Sequence, residues 1–201
     1  MTTVLPPQVE EFVWAVRANA EQVAEALSTQ FTAEAEPLLL ALLPTADTEL
    51  YWWVVRGLAH CGTSVAIPAL RTTLGLEDAA LRTAAAMALG QLYRRHPAEV
   101  QPHLPALTDH LADEDGLVRQ VVADTLAQIG DAAVPALAQV LQATHSAART
   151  RAAYALGKIA SLQAAPVLFR CLNDPNYLVH TYAYEALDGM GLLENVLVTL
   201  E

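Results

Sequence analysis

The chain has 201 residues, 54% of them apolar and 16% charged, with a formal net charge of −11. Its basic residues, Lys158 and ten scattered arginines, fall short of the basic footprint that nucleic acid or an anionic membrane demands. The longest aliphatic run, Leu38 to Leu43, is closed by Pro37 and Pro44 and is far shorter than the roughly 20 residues that cross a bilayer.

Residues 1–46 read as a divergent first unit. MTTVLPPQVEEF has neither a basic start nor a long apolar stretch, so no secretion signal is expected. Eight acids against Arg17 alone place −7 of the net charge within residues 1–50. Leu27 opens a series continued by Leu58, Leu89, Leu126, Leu156 and Leu187, at spacings of 31, 31, 37, 30 and 31 residues. A proline heading an aliphatic stretch recurs beside it at Pro37, Pro68, Pro105, Pro135 and Pro166; the last unit, ending LLENVLVTLE, lacks one. Self-similarity at this period marks a stacked array whose units cannot bury their faces alone. The expected fold is all-α, an α-solenoid of about six stacked antiparallel helix pairs forming one domain. Residues 1–46 and 177–201 are the capping repeats and residues 47–176 the regular ones.

The second unit opens with YWWVVRGLAHCG, residues 51–62. The register puts Val54, Gly57, Leu58 and Cys61 on the core face, and Cys61 aligns with Leu92, Ile129, Ile159 and Met190. Cys61 is therefore expected to be a small buried hydrophobe. His60 aligns with Gln91, Gln128, Lys158 and Gly189, a slot read as solvent-facing, so neither residue is a ligand or nucleophile. Trp52 stands where the other units have Thr83, Gln120, Thr150 and Thr181, and Arg56 shares its outer face. Either Trp52 packs on the N-terminal helices through Trp14 and Phe12, or it joins Arg56 in a partner surface, since both residue types are enriched at binding hot spots.

The third to fifth units repeat most plainly, in LRTAAAMALGQL, VRQVVADTLAQIG and ARTRAAYALGKIA. Val118, Val122, Thr125, Leu126 and Ile129 share one helical face, as do the smaller Ala148, Ala152, Ala155, Leu156 and Ile159. Asp47, Asp78, Asp115 and Asn176 are the expected caps of the first helices; His145 breaks the series, with Ser146 placed to cap one residue later. Asp131 is expected to cap a second helix, with Pro135 in its first turn. Arg94, Arg95 and His96 end an extended helix beside a six-residue insertion, where cations offset the helix dipole. On the second helices, the slots three and four residues after the proline read as exposed. Leu40, Arg71, Phe169 and Arg170 among them suggest a groove for a partner helix. Tyr177, Tyr182 and Tyr184 thicken the last unit or meet a second chain. Cys61 and Cys171 lie far apart with no CxxC motif, which points to reduced thiols in the cytoplasm.

The stretch DGLVRQVVADTLAQIGDAAVPALAQVL, Asp115 to Leu141, resembles HEAT-like repeats, in particular the short subtype named for phycobilisome lyases. Arg82, Arg119 and Arg149 match the family arginine, which implies a ladder of inter-repeat hydrogen bonds interrupted at Tyr51 and His180. Family members of the E/F type act as paired chains on the bilins of phycobiliproteins; others are scaffolds. The deoxyhypusine hydroxylases hold iron on His-Glu dipeptides, and this sequence has none. No catalytic triad order, phosphate loop or metal-ligand spacing survives the register, so no catalytic, cofactor or metal residue is assigned. The expected function is a non-enzymatic scaffold that binds a partner protein, without nucleic acid, membrane or cofactor. The alternative implied by the resemblance is a subunit of an E/F-type phycobilin lyase, with a bilin as ligand and a second HEAT-like chain as hetero- or homodimer partner.

Overall fold

The computed structural model describes residues 6–193; residues 1–5 and the end of the sixth unit, 194–201, lie outside it. Every regular element among the described residues is helical, and the chain divides into two compact units between Pro102 and His103.

The first unit holds α1 (Pro7–Arg17), α2 (Glu21–Gln30), α3 (Glu36–Leu42), α4 (Thr48–Cys61), α5 (Ile67–Leu74), α6 (Ala79–Arg95) and α7 (Pro97–Val100). α4 packs between α2 and α6, with α1 across α2 and α4. α1 belongs to no repeat: it buries Val9, Phe12, Ala15 and Val16, and the Phe12 ring meets Phe31 edge-on at 5.1 Å. Leu58 and Leu89 are sealed at the register positions. Each such burial contributes about 1.5–3 kcal/mol. Gly57 is small for a reason, since a Cβ there would come within 3.2 Å of both Leu39 and Phe31.

The second unit holds α8 (Leu104–Asp109), α9 (Gly116–Ile129), α10 (Val134–Val140), α11 (Ser146–Ile159), α12 (Ala165–Cys171) and α13 (Tyr177–Gly189). α11 packs between α9 and α13 through buried small residues, among them Ala123, Ala152, Ala155 and Ala183. Small side chains let neighbouring helices approach at the short end of the 8–10 Å range. Residues 116–140 have a mean hydropathy of 1.2 in their most apolar window, yet the chain turns at Gly130 (φ 79°) and divides the run between α9 and α10.

Asp47, Asp78, Asp115 and Asn176 each accept backbone N–H groups as N-caps. The fifth cap differs from expectation. His145 itself sits in extended backbone and its Nδ1 accepts from Ala148 N–H at 3.2 Å, while Ser146 is the first helical residue. Asp131 does not cap α10. Residues 130–133 form a 3-10 turn, so Ala133 is already helical where a cap would need extended backbone. Pro37, Pro68, Pro105, Pro135 and Pro166 all sit in first turns, where a missing N–H costs little.

The repeated arginine first serves its own repeat. Arg82, Arg119 and Arg149 each donate through Nη1 to two carbonyls of the loop just before their helix. Within the second unit Arg149 also reaches one repeat onward, to Asp174 at 3.1 Å. Arg95 does more than offset a dipole: it donates to Ala59 O at 2.9 Å and Gly62 O at 3.1 Å, closing the C-terminus of α4. Cys61 and Leu92 are buried as expected, whereas Ile129, Ile159 and Met190 are half-buried. Ile129 and Ile159 are the last residues of their helices, and neither α9 nor α11 runs on for the extra turn that α6 has beyond Leu92.

Candidate functional site

Leu27 and Leu58 share a register position, so a first helix matching α4 would begin near Arg17. α2 begins at Glu21, about 6 Å later along the axis. The cause is the end of α1: Ala18 N–H donates to Trp14 O and Ala20 N–H to Ala15 O, both at 2.9 Å, around Asn19 at φ 52°. The position matching the cap Asp47 is Val16, which is buried in α1 and cannot cap. One helical turn is therefore missing beside the N-terminal half of α4.

A groove of about 970 Å³ opens there, lined by Glu21 and Glu25 of α2, Glu49, Trp52 and Trp53 of α4, and Leu81 of α6, among others. Trp53 and Leu81 are only 7% and 5% exposed and form its floor. Trp52 is half-buried, with its ring edge-on to Trp53 at 5.0 Å. Arg56 lies against this pair, its guanidinium carbon 4.9 Å from the Trp52 ring centre and 5.7 Å from that of Trp53. Its Nη2 donates to both carboxylate oxygens of Glu25, at 2.5 and 2.6 Å. So Trp52 does contact the N-terminal helices by way of Arg56, but not through the expected partners: Phe12 is sealed against Phe31, and Trp14 is 65% exposed.

A smaller cavity of about 180 Å³ lies on the other side of Arg56, bordered by His60, Thr83 and Met87. Arg56 Nε and Thr83 Oγ1 are buried there without a hydrogen-bond partner. His60 is half-buried rather than solvent-facing. Burial pushes its pKa below the usual 6.5, against the pull of Glu25 and with help from Arg56 and Arg95. Burial pushes the Cys61 thiol up to about 11, with Glu36 adding to it, and the Cys171 thiol also to about 11, with Asp174 adding. Neither is a thiolate near neutral pH. Among the described residues no three His, Cys, Asp or Glu side chains gather as metal ligands.

The second-helix slots divide. Four residues after the proline, Ala41, Thr72, Asp109, Gln139 and Arg170 are exposed. Three residues after it, Arg71 is exposed but Leu40, Ala138 and Phe169 are half-buried, and Thr108 is buried with its hydroxyl donating to Pro105 O. That slot borders the fully buried Leu39 and Leu168, so the apolar character of Leu40 and Phe169 has a packing cause.

A family model described as HEAT repeats matches residues 35–104 and 104–188. The chain belongs to the HEAT-repeat family. The α-solenoid class expected from the register thereby stands. Similar solved structures include a designed armadillo repeat protein in complex with the peptide (KR)4, at 17% identity over 94% of this chain and 100% of that one, with a TM-score of 0.52. Another designed armadillo repeat protein is 18% identical over 93% and 100% of the two chains, with a TM-score of 0.49. An engineered protein is 23% identical over 92% and 97%, with a TM-score of 0.48. No curated protein matches the chain. Of the residues at the groove, the sequence of this HEAT-repeat chain singled out Trp52, which lines it, and Arg56, which lies at its edge, but not Trp53, Glu21, Glu25 or Glu49. The signal for them was the first repeat's lack of a capping residue at Val16, followed by the turn-forming Asn19.

Proposed function

We propose that this HEAT-repeat chain is a non-enzymatic cytoplasmic scaffold that holds a partner protein at the groove beside Trp52. The observation that carries the reading is the pair of indoles left beside a missing helical turn, with Arg56 at their edge. Aromatic and arginine side chains at the centre of a concave apolar surface are the usual anchors of protein recognition. The fold supports the reading as well, because stacked helix pairs are rigid platforms, and a designed armadillo repeat protein of similar fold forms a complex with a peptide. On the second helices, exposed Arg71 and half-buried Leu40 of the first unit, and exposed Arg170 and half-buried Phe169 of the second, are further contacts for a partner.

Affinity capture with wild-type protein, Trp52→Ala and Arg170→Ala tests the proposal. Proteins held by the wild type should be lost from Trp52→Ala, which gives up its ring contacts with Trp53 and Arg56 and melts lower but still cooperatively, and weakened by Arg170→Ala, which melts near the wild-type temperature. A captured set indifferent to both substitutions contradicts it. The resemblance of Asp115–Leu141 to the phycobilisome-lyase subtype keeps one enzymatic alternative, an E/F-type bilin lyase subunit paired with a second HEAT-like chain. Phycocyanobilin should then develop a shifted visible absorption band with the two chains together, and an unchanged spectrum removes that alternative.

A further inference from the structure

Resting on the scaffold reading and naming its occupant, we infer that the groove takes a basic segment of the partner protein, with a lysine or arginine side chain against the indoles and its charge among Glu21, Glu25 and Glu49. Three carboxylates line the groove and no lysine, arginine or histidine does. Glu21 and Glu49 are exposed, and the side-chain carboxylate of neither forms a hydrogen bond or ion pair with another described residue. Residues 1–50, which supply all three carboxylates, carry a net −7, a balance that favours an incoming cation over an anion.

The groove's own edge shows the chemistry at work. Arg56 lies against Trp52 while its Nη2 holds Glu25, which is a cation held by an indole and a carboxylate together. Trp52, Trp53, Glu21 and Glu49 offer the same two kinds of group to an incoming side chain, an aromatic surface and charge. At about 970 Å³ the groove has room for several residues, not one side chain alone.

Charge also separates the occupants. A second copy of this chain would bring 22 acidic and 11 basic residues to a surface already acidic. The stretches outside the described residues, MTTVL and ENVLVTLE, contain no lysine or arginine. A partner segment rich in cations, with an apolar residue to cover Trp53 and Leu81, fits where these do not.

The test titrates the full chain with a ten-residue peptide of arginine, lysine and leucine, and with its counterpart carrying glutamate at each cationic position, read by calorimetry. The basic peptide should bind, with an affinity that falls as salt rises, and the acidic one should not. Trp52→Ala should weaken binding about tenfold. Glu21→Gln/Glu49→Gln should weaken it by a similar factor, and because both side chains are exposed this variant keeps the fold. Equal binding of the two peptides, binding of neither, or wild-type affinity in the glutamine variant would each overturn the inference. If the basic peptide fails while Trp52→Ala still loses a captured partner, the scaffold reading survives and only the occupant is wrong. If Trp52→Ala changes neither peptide binding nor capture, both fall.

Discussion

The first helices of the two units use the same register slots to opposite effect. In the second unit Tyr154 donates to Asp124 at 2.8 Å, Gln120 donates to Asp124 at 2.9 Å, and Arg151 donates to Gln120. The Tyr154 ring meets Tyr182 edge-on at 5.6 Å, so polar groups and rings of three successive repeats close over one another. In the first unit Arg56 and Glu25 occupy the slots of Tyr154 and Asp124, one repeat apart in each case. That link forms too. What differs is the next turn up: Trp52 stands in the slot of Thr150, and its counterpart on α2, in the slot of Gln120, is Glu21, the first residue of that helix, so no further turn of α2 lies beyond it. The slot supplies the partner in both units; the length of the preceding helix decides whether it closes into a network or opens a groove.

The most severe way to break the comparison is through the core that both faces stand on. Leu58→Ala and Leu156→Ala should each cost about 2–5 kcal/mol in urea denaturation, being fully buried at one register position. A cost well below 1 kcal/mol for either would take that leucine out of the core. A smaller effect separates the faces themselves. Tyr154→Phe removes a hydrogen bond to a carboxylate and should cost about 1.5 kcal/mol. Arg56→Lys loses the two-oxygen grip on a half-exposed Glu25 and should cost less than 1 kcal/mol.

How far these features were legible follows from what each depends on. Periodicity carried the core: Val54, Leu58, Cys61, Val118, Val122 and Leu126 are buried where the leucine series puts them. It carried four of the caps as well, because an N-cap is a local matter of one side chain and the next turn. It failed at His145, whose ring nitrogen does the work of a carboxylate, and at Asp131, where a 3-10 turn displaces the cap. The groove was harder, since nothing lines it at a repeating interval. It arises from an absence, the missing first turn of α2, and its carboxylates come from residues that a helical wheel reads as ordinary solvent-facing charge.

Protonation sharpens the comparison further. The folded pKa of His60 is depressed, so the unfolded chain binds its proton first as pH falls below 6.5. Stability from this group is present above pH 6.5 and is lost as pH drops toward the lower folded value. His60→Gln should therefore show a shallower acid-side loss than wild type, measured by thermal melts from pH 7.5 downward. A parallel decline in the two proteins would mean that His60 is freely solvated. The smallest expected signal is thiol labelling, with one cysteine in each unit and both held at about 11. At pH 8 the folded protein should label slowly at both positions and the denatured chain quickly. Faster labelling of Cys171 alone would show that the second unit, despite its closed network, opens more readily.

The most direct measurement uses the three tryptophans as reporters in one spectrum. Adding the arginine-lysine-leucine peptide to 15N-labelled protein should shift the indole N–H signals of Trp52 and Trp53 and leave that of exposed Trp14 in place. Shifts confined to Trp14, or confined to backbone amides of the second unit, would contradict a basic-segment groove made by the missing turn of α2.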